Sequence, residues 1–256
     1  MGRLFGTDGV RGIANTELTC ELSMQIGRAT AMVLTENLNG KRPEVLIGMD
    51  TRASSQMLEG AITSGLCSVG ADVMQVGVVP TPAVAFLVRK YNYDAGVMIS
   101  ASHNPCEYNG IKIFQGNGYK LPDALEEEIE SIILDKTQVP PIMVGGDVGR
   151  ITRSKTAVID YVNYLHEIAE DDLKEFGAKN FNGLRIAVDC SNGASSVTAP
   201  ELFMRLCDDC FFIASHPNGT NINANCGSTH LEILQDFVSV HALNTFAHRM
   251  ANIAVE

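Results

Sequence analysis

Two serines, a histidine and a lysine stand close together in Met98-Ile-Ser-Ala-Ser-His-Asn-Pro105 and the following Tyr108-Asn-Gly-Ile-Lys112. An apolar run stops at Ser100. Asn104-Pro105 and Asn109-Gly110 then predict turns, and Lys112 returns to the same neighbourhood. Such a segment can expose one hydroxyl, that of Ser102, at the end of a strand with a cation beside it. Phosphoryl transfer through a serine needs that geometry, because a phosphoserine carries nearly two negative charges that must be offset. In this reading Ser102 carries the phosphoryl group, His103 and Asn104 shape its loop, and Lys112 neutralises the phosphate. The competing reading is a polar turn with His103 as an ordinary loop residue.

A second group is Phe5-Gly-Thr-Asp-Gly-Val-Arg-Gly12. Its three glycines permit close backbone approach to a ligand, and N–H groups in such a loop can cradle an anion. Arg11 adds a fork suited to phosphate. The alternative is a glycine-rich loop of no function. A third group, Asp50-Thr-Arg-Ala-Ser-Ser55, follows an apolar run and precedes a helical pattern, where α/β sheets bind ligands. Arg52 either contacts phosphate or pairs with Asp50. The polar stretches 218–223 and 226–230 could hydrogen-bond a sugar or be ordinary loops. A serine hydrolase is disfavoured: Ser102 and His103 are sequence neighbours, which seldom places the base on the hydroxyl, and no GxSxG elbow occurs.

The elements that must position these groups alternate between short β-rich runs and longer helical patterns, which predicts α/β layering. Helices are expected over Glu17–Asn37 (capped by Thr16 or Thr19), from Ser54 or Ser55 to Val69, over Ala83–Arg89 (capped by Thr81), Leu125–Leu134, Thr156–Ala169 and Ser195–Cys207. Strands are expected over Val45–Met49, Asp72–Val76, Gly96–Ser100 and Leu184–Asp189. The Pro/Gly-rich stretch 138–149 reads as a linker. Two three-layer α/β/α units with mixed sheets follow, roughly 1–150 and 151–256. The runs Val45–Ser55 and Leu184–Ser196 echo one another, as a duplicated domain or two ordinary β-turn-α units would.

With 256 residues, 45% hydrophobic and 19% charged, the composition is that of a folded globular protein. The net charge of -11 argues against nucleic acid or an anionic membrane as the main partner. Seven scattered cysteines suggest no disulfide framework, and Cys207-x-x-Cys210 lacks a second pair to complete a zinc site. With no apolar N-terminal segment or long apolar run, a cytoplasmic location is expected.

Taken together, GTDGVRG, the DTR strand end, and ISASHNP with NGIK resemble the α-D-phosphohexomutase superfamily, from the start of the chain to about Gln235. The resemblance implies phosphohexomutase-like domains I and, incompletely, II. It implies an isomerase that interconverts glucosamine 6-phosphate and glucosamine 1-phosphate through a phosphoserine at Ser102 and a bisphosphorylated intermediate. Arg11, Lys112 and His103 would serve the transfer, and Thr7, Asp8, Arg52 and Asn104 would contact substrate or phosphate. Mg²⁺ would bind through the phosphate on Ser102. Members acting on mannose or glucose phosphates, and a non-catalytic phosphosugar-binding module, remain alternatives.

The same resemblance exposes departures. The acidic metal loop expected after Cys226-Gly-Ser-Thr-His230 is missing, since the only side-chain carboxylates beyond Glu232 are Asp236 and Glu256. Two further domains are also missing, and the tail from Phe237 diverges as a frameshifted or prematurely ended reading frame would. The expectation is a fragment that binds a phosphorylated hexosamine, is inactive alone, and can self-associate through exposed surface of its second unit.

Overall fold

The computed structural model describes residues 3–241 except 176, 179 and 182; the divergent tail beyond His241 lies outside the described residues. The chain opens with β1 (Val10–Ile13), where the sequence suggested only a glycine-rich loop. Helix α1 (Cys20–Asn37) begins where the Thr19 hydroxyl accepts a bond from Leu22 N at 3.2 Å, the expected cap. Then follow β2 (Glu44–Met49), α2 (Ala53–Ser68), β3 (Asp72–Val78), α3 (Thr81–Tyr91), β4 (Ala95–Ile99), β5 (Tyr108–Gln115) and α4 (Asp123–Glu130). Helix α4 widens into a π-helical turn, Ser131–Asp135.

Six strands form one mixed sheet in the order β1-β5-β4-β2-β3-β6, where β6 is Ile151–Arg153. Strands β2, β3, β4 and β6 run parallel, and β5 pairs antiparallel with both β4 and β1. Alternation along the strands sends side chains to both faces, and helices cover both. On one face Val45, Ile47, Val97, Ile99, Ile111 and Ile113 pack with Ile26, Leu58, Ile62 and Ile129 of α1, α2 and α4. On the other, Leu46, Met98 and Phe114 meet Val84, Leu87 and Val88 of α3. Each fully buried Ile or Leu contributes about 1.5–3 kcal/mol relative to exposure. This is the three-layer α/β/α arrangement.

The remaining elements are α5 (Ala157–Glu175), β7 (Arg185–Asp189), α6 (Ser195–Leu206), β8 (Asp209–Ile213) and α7 (Leu231–Val240). Helix α5 runs further than expected because it packs on two partners. Its Tyr164 ring stacks on Phe86 of α3 with centroids 4.0 Å apart, and its Val162 and Leu173 pack with Leu202 and Leu206 of α6. Among the described residues the second sheet is β7 and β8 alone, and it is parallel, not mixed. The cause is local: α6 is a crossover that returns the chain in the same direction. Ile186 and Val188 pack toward Ala199 of α6, and Ala187 packs with Leu234 of α7.

Other expectations need correction. Asn109-Gly110 is no turn but lies inside β5, opposite Gly12 and Arg11. A Cβ at Gly110 would sit 2.6 Å from Ser100 O, so the glycine serves close strand approach. Ser54, Ser55 and Thr81 do not cap their helices. Helix α2 is preceded by Arg52 and α3 by Pro80, neither giving a side-chain cap. The stretch 138–149 has little regular structure, but Arg42 ties it to β3 by bonds to Asp72 (3.2 Å) and Gly146 O (3.0 Å). Residues 151–153 extend the first sheet beside β3. No helix of the described residues is long and apolar enough to cross a membrane.

Candidate active site

The parallel strands β2 and β4 end side by side, Met49 opposite Ile99, and the chains leaving them carry the first and third sequence groups. Sheets of this kind bind ligands at this edge, where successive crossovers leave on opposite faces. Asp50 organises the edge. Its carboxylate accepts bonds from Arg52 N (3.1 Å), Arg52 Nε (2.9 Å), Ser55 Oγ (2.8 Å) and Ser100 Oγ (2.8 Å). The Ser100 hydroxyl in turn accepts from Ser102 N at 3.1 Å. Asn109, fully buried, donates to Ser54 Oγ and Ser55 Oγ from the start of β5.

Arg52 is 2% exposed, and this corrects its assignment as a phosphate contact. Beyond Asp50, its guanidinium donates to Pro105 O, to Ser102 O at 3.0 Å and to Asn104 O at 2.9 Å. An arginine so engaged has no fork left for a ligand. It shapes the 102–105 loop instead. Within that loop Ser102 adopts φ 55°, a left-handed conformation that costs about 1–2 kcal/mol for a residue with a Cβ. Strain of this order persists only where surrounding contacts fix it, and such positions gather at functional sites.

The glycine-rich group reaches the same edge through β1. Gly6 and Gly9 exchange backbone bonds of 3.0 and 3.2 Å, which puts Thr7 and Asp8 at the exposed tip of a tight turn. Gly9 has φ +82°, and a Cβ there would sit 2.3 Å from Ile111 O, so only glycine lets the turn approach β5. Arg11 pairs with Gly110, two residues from Lys112 on the same strand, so both cations project from one face. Arg11 contacts Asn104 Oδ1 at 3.5 Å and Asp8 at 3.6 Å; both contacts are long, so its fork is loosely engaged. Lys112 Nζ lies 3.2 Å from Asp8 Oδ1.

Asp8, expected to contact phosphate, is therefore an anion among cations. Burial raises its pKa, but the Lys112 bond and the charges of Lys112, Arg11 and His103 outweigh it and hold the carboxyl below its ordinary range. An ionised carboxylate offers a phosphate no donor; it keeps Arg11 and Lys112 side by side. His103 is exposed on the loop. Thus Ser102, Arg11, Lys112, His103, Asn104, Thr7 and Asp8 share one edge of the sheet, with Arg52 beneath them.

The second unit adds what the sequence did not reveal. Asn223 donates to Ser102 O at 2.9 Å and to Asn104 O at 3.0 Å. Thr51 Oγ1 donates to Asn192 O at 2.6 Å, and Ala53 N, at the start of α2, to Gly219 O at 2.9 Å. The polar loops around 218–227 thus brace the 102–105 loop. The echo between the two units has a physical counterpart. Asp189 at the end of β7, like Asp50 just past β2, accepts the N–H two residues on, here Ser191 N at 2.8 Å, an Asx turn in both places. Cys190 beside it is structural: burial, with the Asp189 charge, pushes its thiol up to about 12.

A divalent cation needs several oxygen ligands. Among the described residues no three His, Cys, Asp or Glu side chains converge on one point. Asp50 is fully engaged and Asp8 is paired with two cations. This donor set does not fit a metal, so no step below is routed through one.

Comparison with known proteins agrees with the geometry. Residues 2–140 match the phosphoglucomutase/phosphomannomutase α/β/α domain I. The phosphoglucosamine mutase of Acetivibrio thermocellus is 53% identical over 93% of this chain and 51% of its own length. That of Clostridium novyi is 54% identical over the same shares. The crystal structure of a phosphoglucomutase/phosphomannomutase family protein from Burkholderia thailandensis superposes with TM-score 0.69 at 24% identity. It matches 93% of this chain and 49% of that one, a likeness of fold. The chain spans about half the length of the curated relatives it matches. By its sequence and the fold that presents Ser102, it belongs to the phosphoglucomutase/phosphomannomutase family.

Proposed function

We propose that this chain supplies the phosphoserine half of a phosphoglucosamine mutase, which interconverts glucosamine 6-phosphate and glucosamine 1-phosphate. The observation that carries the reading is the Ser102 loop. Arg52 holds it from below, Arg11 of β1 reaches Asn104 of the loop at 3.5 Å, and Lys112 stands on β5 on the same face as Arg11. In the forward step a sugar hydroxyl oxygen forms a bond to the phosphorus on Ser102. The P–Oγ bond breaks, and the proton of the sugar hydroxyl is released as Oγ is protonated. The reverse step takes the other phosphate of the bisphosphorylated sugar and restores phosphoserine. Such transfers depend on positioning and on cations facing the transferring oxygens, the roles proposed for Arg11 and Lys112.

The proposal includes two units, residues 1–150 and 151–256, with the second lacking its metal loop, and a cytoplasmic enzyme. The magnesium ion implied by the resemblance would meet only the Ser102 phosphate among described residues, a poor set for a cation that prefers several oxygens. That favours a second reading for the chain by itself: a phosphosugar-binding fragment without turnover. A chimera decides whether the site is competent. Residues 1–241 of this chain replace the matching half of the Acetivibrio thermocellus relative, and conversion of glucosamine 6-phosphate is assayed. The chimera is expected to turn over and its Ser102→Ala variant to be inactive. A folded but inactive chimera, or an active Ser102→Ala variant, overturns the proposal.

A further inference from the structure

Asn223 lies 121 residues from Ser102 in sequence, yet its amide nitrogen reaches the same two carbonyl oxygens that Arg52 Nη2 reaches. Ser102 O takes bonds of 2.9 Å from Asn223 and 3.0 Å from Arg52; Asn104 O takes 3.0 and 2.9 Å. A carbonyl oxygen has two lone pairs, so each carbonyl is saturated by one donor from each unit. Asn223 is itself held in place. It has φ 57°, and its own N–H bonds to Ser191 O at 2.9 Å. Ser191 and Asn192 are also left-handed, at φ 54° and 47°. Several non-glycine residues in this costly conformation therefore meet at one contact between the units, the pattern of a set geometry and not of a chance loop.

We propose that Asn223 is a positioning residue: with Arg52 it locks the carbonyls of Ser102 and Asn104, so the orientation of the Ser102 hydroxyl depends on both units. The link to catalysis rests on the phosphoserine reading above; the lock itself does not. Arg52 alone would tie the two carbonyls to the first unit only, and Asn223 adds a second tie from the other unit. With Asn223 in place, all four positions are filled while Ser102 holds its left-handed φ of 55°. Placement of the reacting oxygen within a few tenths of an ångström is what transfer demands.

Two variants of the full chain test this by hydrogen exchange at the Ser102, Asn104 and Tyr108 amides, with no sugar present. Asn223→Gly removes the donor but keeps a residue at ease with positive φ. Asn223→Asp keeps size and left-handed tolerance, but turns a carboxylate toward two carbonyl oxygens. In Asn223→Gly, protection at the three amides is expected to fall by about five- to thirty-fold, with amides of Ile47 and Val97 in the core unchanged. In Asn223→Asp, protection should recover toward wild type as pH falls from neutral through the ordinary carboxylate range near about 4, as the acid regains a donor proton. Equal protection in Asn223→Gly and wild type would overturn the lock. So would an Asn223→Asp loss that pH does not relieve, and this variant decides alone if Asn223→Gly does not fold. In the active chimera, Asn223→Gly is expected to lower kcat more than it raises KM for glucosamine 6-phosphate; an unchanged kcat overturns the catalytic link. Should no chimera turn over, the phosphoserine reading fails while the exchange result stands.

Discussion

Arg52→Ala would remove a guanidinium whose side chain has no exposure, from a carboxylate, Asp50, only 4% exposed. The loop carbonyls each keep one partner, because Asn223 still reaches Ser102 O and Asn104 O, and Tyr108 N still donates to Pro105 O. The main cost is therefore the buried charge of Asp50 left without its counter-ion, together with the void. Breaking a buried pair from one side costs about 3–5 kcal/mol. At roughly 2–4 °C per kcal/mol for a chain of this size, the melting temperature should fall by about 6–20 °C. Arg52→Lys should lose less, since the ammonium keeps the charge near Asp50 but cannot span three carbonyls. Pairing Arg52→Met with Asp50→Asn should cost less than the sum of the single changes, because the two residues are in contact. Thermal unfolding followed by circular dichroism reads all five variants, the two single changes and their pairing included. If Arg52→Ala melts within about 2 °C of wild type, the pair does not organise this edge of the sheet and the reasoning fails.

Three further outcomes follow from the same geometry. Gly9→Ala should destabilise the chain by more than the roughly 1–2 kcal/mol of a left-handed alanine, because its Cβ would meet Ile111 O at 2.3 Å; a neutral effect on urea unfolding contradicts this. Glu130 accepts the N–H groups of Arg3, Leu4 and Phe5 at 3.0, 2.7 and 2.6 Å. Burial raises its pKa, but these bonds and the Arg3 charge outweigh it and hold the carboxyl low. A depressed folded pKa stabilises above the unfolded value and is lost as pH falls through the folded one. Exchange protection at Leu4 and Phe5 should therefore be flat at neutral pH and fall only below the ordinary carboxylate range; loss at neutral pH contradicts the anchoring. Finally, the purified 256-residue chain should give negligible conversion of glucosamine 6-phosphate, and robust turnover would overturn the fragment reading.

What could be seen in the sequence was local. Thr19 and the apolar spacing of α1, and the uninterrupted apolar runs of β2 and β4, follow from short-range preferences that tertiary contacts reinforce. Strand β1 was hidden because Val10–Ile13 is four residues inside a glycine-rich motif, and its partner β5 lies about a hundred residues on. Asn109-Gly110 carries the local signal of a hairpin. Yet Asn109 is needed to bond Ser54 and Ser55, and Gly110 to pass Ser100 O, so packing overrode turn chemistry. The start of α2 was misplaced because its first N–H is bonded by Gly219 O, a cap supplied from the other unit. At the site, Ser102, Arg11 and Lys112 were marked by residue type. The stretch 218–223 stood out as polar, but the role of Asn223 was hidden because its partners are backbone carbonyls, which any residue would provide.

The account stands on one hydroxyl, at Ser102, as the phosphoryl acceptor. The chimera that joins residues 1–241 to the second half of the relative should be incubated with glucosamine 1,6-bisphosphate carrying a labelled phosphate, and the labelled peptide mapped by mass spectrometry. A single added phosphoryl group on Ser102, absent from Ser102→Ala, is the expected result. Bisphosphate bound with no phosphoryl transferred, or label on any other residue, would contradict it.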